Sequence, residues 1–167
     1  MLRGCAPLVL ALGLLACGPQ PTLPDGTLAP IKVGLVTSLT GTLGTDGPSW
    51  RDAARVAERE VNAAGGPIDG RPIELIVVDD ETNPGRAEAI ATRLVNDDEV
   101  VAVIGAAASS ISLGLAQITG PAQVPQISCC STSDLITDRA MMQAEGERFL
   151  FRTAPADILP ARVGSIA

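Results

Sequence analysis

The chain has 167 residues, enough for one ordinary domain, and 46% of them are hydrophobic but only 2% aromatic, so a core has to be built from Val, Ile, Leu and Ala. A net charge of −7 argues against nucleic acid as a partner. With no His and no Tyr, the usual general base, the usual neutral metal ligand and the phenolic acid are all missing.

At the N-terminus, Arg3 precedes an apolar run, Pro7–Leu15, that is too short to cross a bilayer. The run ends Leu14-Leu15-Ala16-Cys17, which resembles a bacterial lipobox. By that resemblance residues 1–16 are a lipoprotein signal peptide, and Cys17 becomes a lipidated N-terminus holding the protein at the periplasmic face of a bacterial membrane. An ordinary signal peptide that contains a cysteine is the alternative. After Cys17, Gly18–Pro30 carries four prolines and two glycines, a composition that prevents packing, so 17–30 is expected to be a tether.

Ile31–Thr37 reads as a first buried strand and 38–48 as a Gly/Thr-rich loop. Ser49 is expected to start a helix, with Asp52 completing a capping box. Trp50, Ala53, Ala54, Ala57, Val61 and Ala64 would form its apolar face, and Gly65-Gly66 its stop. Trp50 fits that face better than a ligand contact. Ile73–Val78 is the second strand. Asp79-Asp80 at its end has no His, Lys or third carboxylate beside it and reads as a solvated strand end rather than a metal or acid–base site. Asn83-Pro84 is a helix start, followed by a buried stripe of Ala87, Ile90, Ala91, Leu94 and Val95 that ends at Asn96-Asp97-Asp98.

The most informative stretch is Val100–Ser112, VVAVIGAAASSIS. A β-branched run ends at Gly105, and Ser109 or Ser110 is placed to cap a new helix. A helix N-terminus at a strand end favours an anion, although the serines could serve as caps and nothing more. Ile111, Leu113, Leu115 and Ile118 continue the helix until Gly120-Pro121 breaks it. Val124–Ser128 is a fourth strand, 128–133 (SCCSTS) a polar loop, and Phe149–Thr153 a fifth strand, after which Pro155 opens a helical stretch. Alternating strands and helices imply right-handed βαβ units in an α/β, doubly wound (Rossmann-like) parallel sheet, with loops 38–48, 105–110 and 128–133 around one crevice.

IKVGLVTSLTGTLGTDG, VNAAGGPIDGRPIELIVVDDETNP, LVNDDEVVAVIGAAASS, VPQISCCSTS and FRTAPAD, in that order, resemble the N-terminal lobe of the type I periplasmic binding proteins, and within them the leucine/isoleucine/valine-binding, or branched-chain amino acid, group. The resemblance runs from Ile31 to Asp157. It implies sheet order 2-1-3-4-5 and a non-enzymatic, cofactor-free, two-lobed receptor that closes on its ligand and delivers it to an ABC permease. By it, Ser109 would bond the α-carboxylate of an amino acid, Cys130 would offer backbone groups, and Thr132 would meet the ammonium or carboxylate. Ser110 and Ser131 adjoin them in the ligand-binding set, and no metal is implied.

Several positions depart from the family pattern. Asp46 stands where an aromatic often covers the ligand, and Thr82 and Ala108 stand where some members carry a disulfide. Cys129 and Cys130 are adjacent; a vicinal disulfide is strained, so two buried thiols are expected. The family continues into a second lobe, so residues 31–153 would be lobe 1 and 154–167 the crossover of a truncated, split or one-lobe product. The function expected is solute binding for uptake, of an amino acid or similar small polar solute. The alternative is a sensory or regulatory lipoprotein of the same fold that contacts a protein partner.

Overall fold

A computed structural model describes residues 21–142 and 148–159; the signal segment, Cys17 and the end of the 154–167 stretch lie outside the described residues. In chain order the elements are β1 (Ile31–Thr37), α1 (Gly47–Ala63), β2 (Ile73–Asp79), a 3-10 turn (Pro84–Arg86), α2 (Ala87–Asn96), β3 (Ala102–Ile104), α3 (Ser109–Thr119), β4 (Gln126–Ser128), α4 (Asp134–Met142) and β5 (Leu150–Arg152). The strands are all parallel, in the expected order β2-β1-β3-β4-β5. α4 answers to no element expected from the sequence. Its residues, DLITDRAMM, mix charged and apolar types, and Ile136 reaches the core, against Ala116 and Leu150.

The main core lies between the sheet and the α2–α3 layer. Val36, Val78 and Val103 of the strands meet Ala87, Ile90, Ala91 and Leu94 of α2 and Ile111 and Leu115 of α3. The α2 stripe is thus as its period predicts, with Val95 half-buried at its margin. Asn83 accepts a hydrogen bond from Gly85 N at 2.9 Å, and this cap starts the 3-10 turn that feeds α2.

The opposite face of the sheet is only half covered. α1 packs on β1 and β2. Strand register aligns Val77, Leu35, Ile104, Ile127 and Phe151 in one row across all five strands. Beyond α1 that row comes into solvent: Ile127 is 42% and Phe151 45% exposed.

α1 departs from the sequence reading at its start. It begins at Gly47, not Ser49, because the Gly47 Cα lies so close to Ser38 O that a Cβ there would stand 1.8 Å from it, and Pro48 follows in the first turn. Asp46 is the N-cap residue but makes no side-chain cap bond, and Asp52 pairs with Arg51 instead of closing a capping box. Of the expected apolar face, Trp50, Ala54 and Val61 are half-buried, while Ala53, Ala57 and Ala64 are exposed. The tether reading also needs correction over 21–30. Thr22 and Leu28 form an antiparallel bridge around Asp25-Gly26, and the Arg71 guanidinium donates to Ala29 O and Pro30 O at 2.8 and 3.1 Å. Proline and glycine here shape a small hairpin that a distant arginine pins to the domain.

Candidate functional site

Three loops rise from the C-terminal ends of β1, β3 and β4. The first is fastened by the two aspartates after β2. Asp80 is 0% exposed; its Oδ1 accepts from the Ser38 hydroxyl at 2.6 Å and from Thr82 N at 2.8 Å. Asp79 accepts from Leu39 N, Thr40 N and Glu81 N through Oδ1 and from the Thr40 hydroxyl through Oδ2. The expected solvated strand end is therefore a buried and bonded one that ties the β1–α1 loop to the β2–α2 turn. Burial alone pushes the Asp79 carboxyl up, but the bonds from Thr40, Glu81 and Leu39 together outweigh it and hold it below the ordinary carboxylate range. A depressed folded pKa gives stability that is complete above the unfolded value, about pH 4, and drains away as pH falls through the folded one. Denaturation midpoints measured from pH 6 down to pH 2 should fall in that window, and Asp79→Asn should remove part of the dependence.

The second and third loops are welded to each other. The Ala106 carbonyl gathers the hydroxyls of Ser112, Ser128 and Ser131 at 3.0, 2.7 and 3.1 Å. Ser112 Oγ accepts from Ala106 N at 2.9 Å and lies 2.9 Å from Ser131 Oγ. Each hydroxyl owns one proton, so Ser112 and Ser131 divide these donations between them. Beneath, Gln126 donates to Gly105 O and Ser112 O and accepts from the Thr119 hydroxyl. All these side chains are fully buried, and their polar groups are satisfied by one another.

The expected site residues divide on this scaffold. α3 starts at Ser109 with Ala108 as its N-cap residue, so neither Ser109 nor Ser110 is the cap. They occupy the first two helical positions, where backbone amides have no partner inside the helix. Ser109 Oγ accepts from Ser133 N at 3.3 Å, which leaves its own proton to give, and Ser110 is exposed. Thr132 is half-buried. Ser131 is 0% exposed, so its hydroxyl serves the interior network.

Cys129 and Cys130 are free thiols, the first exposed and the second half-buried, so they are unbridged as expected but neither is buried. Burial, together with the neighbouring Cys129 thiol, pushes Cys130 up to about 12, and it stays protonated at neutral pH. Arg152 is a residue the sequence reading missed. It donates to Thr132 O and Ser133 O, both at 3.0 Å, and to the Thr137 hydroxyl, and it stands in register with Ser128. Asp157 N also donates to Thr132 O, at 2.9 Å. The guanidinium thus fixes the backbone of the third loop. Its only signal in the sequence is an arginine at the end of an apolar strand. Among the described residues no group of three or more His, Cys, Asp or Glu is placed to hold a metal, and no helix is long and apolar enough to cross a membrane.

A family model for periplasmic binding proteins matches residues 30–156. The chain belongs to the periplasmic binding protein family. Among relatives, it is 36% identical over 115 residues to an amino acid binding protein of Pseudomonas aeruginosa, an alignment covering 68% of this chain and 30% of that one. It is 32% identical over 127 residues to the leucine-, isoleucine-, valine-, threonine- and alanine-binding protein of the same organism, covering 76% and 32%. Among solved structures, the branched-chain amino acid transporter substrate binding protein LivJ of Streptococcus pneumoniae, in complex with isoleucine, superposes with a TM-score of 0.68 at 33% identity, covering 77% of this chain and 34% of that one. The chain therefore spans about a third of the length of the periplasmic binding proteins it matches. These relatives are named for binding and not for catalysis.

Proposed function

We propose that this chain forms one wall of an amino acid site in a solute-binding lipoprotein that feeds an ABC permease. The observation that carries this reading is the pairing of a helix N-terminus with a second loop locked to it. The α3 amides at Ser109 and Ser110 and the Ser109 proton suit an α-carboxylate, and the Thr132 hydroxyl on the adjoining loop suits the ammonium or carboxylate. The buried serine network and Arg152 hold both loops in place before ligand arrives, so little ordering is needed on binding. The amino-acid-binding relatives support the ligand class. Cys130 lends backbone groups, and Ser131 supports from behind.

Charge-assisted bonds contribute about 1.5–3 kcal/mol each, so two give about 3–6, whereas micromolar affinity needs about 8. Residues 18–167 alone are therefore expected to bind amino acids weakly in calorimetry, and a monomer with a Kd below about 10 μM would contradict that ledger. In a two-lobed protein carrying this lobe, Ser109→Ala and Thr132→Ala should each weaken binding by about 1–3 kcal/mol and move Tm less than affinity. Unchanged affinity in both variants would remove these residues from the site.

The anchor is tested separately. Cys17→Ser should shift the protein from the membrane fraction to the soluble periplasm. A wild type already soluble there would end the lipidation reading.

A further inference from the structure

A second cleft, of about 500 Å³, lies at the N-terminal ends of the strands, the far end of the sheet from the crevice. Strand register builds its floor. Lys32 of β1 pairs with Glu74 of β2, and Val101, just ahead of β3, donates its N–H to Lys32 O at 3.0 Å. An acid, a base and an apolar residue thus hold neighbouring positions across three strands. Leu23, from the 21–30 hairpin, lines one side together with Arg71, which pins that hairpin. Glu99, in the turn between α2 and β3, lines the cleft as well. Two apolar side chains face water there: Leu23 is 44% and Val101 55% exposed.

The cations keep donors in reserve. Lys32 Nζ gives one of its three protons to Asp98 O at 3.0 Å, and Arg71 commits Nε and Nη2 to Ala29 O and Pro30 O, which leaves Nη1. Among the described residues no ion pair links Lys32 or Arg71 to Glu74 or Glu99, although Lys32 and Glu74 are register neighbours. Two cations beside two carboxylates match a ligand that carries an anion and an ammonium on one short chain. A bare anion or a bare cation would meet its own sign on half of the set. Position selects the source of that ligand. Leu23 stands six residues after Cys17, and an extended chain spans at most about 3.6 Å per residue, so a lipid on Cys17 keeps the cleft within about 20 Å of the membrane surface. The net charge of −7 opposes an anionic surface but not a zwitterionic one.

We propose that this cleft binds the phosphoethanolamine headgroup of a membrane phospholipid, with the phosphate on Lys32 and Arg71, the ammonium on Glu74 and Glu99, and Leu23 and Val101 against the first acyl methylenes. The proposal rests on the lipidation reading for its reach. It lays the base of the lobe on the membrane and turns the crevice toward the periplasm. A primary ammonium donates hydrogen bonds to carboxylates, which a trimethylated choline headgroup cannot do.

The test uses residues 17–167 with Cys17→Ser, which keep every element described and carry no covalent lipid. Flotation is run with vesicles of phosphatidylcholine alone, of phosphatidylcholine with phosphatidylethanolamine, and of phosphatidylcholine with phosphatidylglycerol. Binding to the ethanolamine vesicles should exceed binding to either other kind by about fivefold or more, the value of one good exposed ion pair. Glu74→Gln with Glu99→Gln, both exposed, should remove that preference at unchanged Tm, and Lys32→Gln should weaken binding to the same vesicles. Equal binding to all three, a preference for phosphatidylglycerol, no binding to any, or a preference that survives the paired glutamine variant overturns the proposal. So does calorimetric binding of soluble glycerophosphoethanolamine by a chain that ignores the vesicles, which would make the ligand a free solute. Fractionation of Cys17→Ser in cells reports on the anchor alone, so the two readings fail separately.

Discussion

Gly105→Ala is expected to destabilise the domain by about 3 kcal/mol or more, read as a lower urea midpoint at unchanged slope. Two costs combine there. Gly105 has φ +122°, a region L side chains rarely adopt, and an added Cβ would stand 2.1 Å from Val36 O. Val36 O belongs to β1, a strand paired on both sides, so the backbone itself would have to give. Gly65→Ala separates the two terms. Gly65 has φ +102° but nothing within 4 Å of its Cβ position, so it should incur the conformational cost alone, about 1–2 kcal/mol. Equal losses at the two glycines would show that the approach of Gly105 to β1 carries no weight. Because Gly105 opens the loop that ends at Ser109, its substitution should also loosen the crevice.

Leu94→Ala should cost about 2–5 kcal/mol, against a total stability of about 5–15 for a typical domain. Leu94 is fully buried at the centre of the main core. It fills the space that glycine leaves on β1: a Cβ on Gly34 would lie 3.0 Å from Leu94 Cδ1. The leucine and the glycine are thus one packing unit. Truncating Leu94 opens a cavity over Gly34 that no neighbouring side chain on the strand can close. A Gly34→Ala, Leu94→Ala double variant should recover part of the loss, and a purely additive result would refute the pairing.

The sheet was largely legible because its signals are local. β-branched runs bounded by glycine mark β1 and β3, and Asn83-Pro84 followed by Ala87, Ile90, Ala91 and Leu94 marks α2. The features that were not legible depend on partners far away in the chain. Asp80 is buried rather than solvated because the Ser38 hydroxyl, 42 residues earlier, meets it. Ser109 does not cap its own helix, and its oxygen instead takes the amide of Ser133, 24 residues on. Arg71 reaches back 42 residues to pin the proline-rich hairpin at Ala29. Two of the expected site residues, Ser109 and Thr132, could be placed on facing loops from strand ends alone. That Ser131 between them serves the interior follows only from the Ala106 carbonyl it meets.

Trp50 sits half-buried in the first turn of α1, just past the β1–α1 loop. It is the single tryptophan of a chain without tyrosine, so ultraviolet emission from this protein comes from one address. Excited in the near ultraviolet, the molecule has a built-in optical probe on the covered half of the sheet face and none on the other half. Changes in the colour or quenching of that light report the seating of α1 and the neighbouring loop. They are blind to events confined to β4 and β5, for which a label introduced near Phe151 would serve.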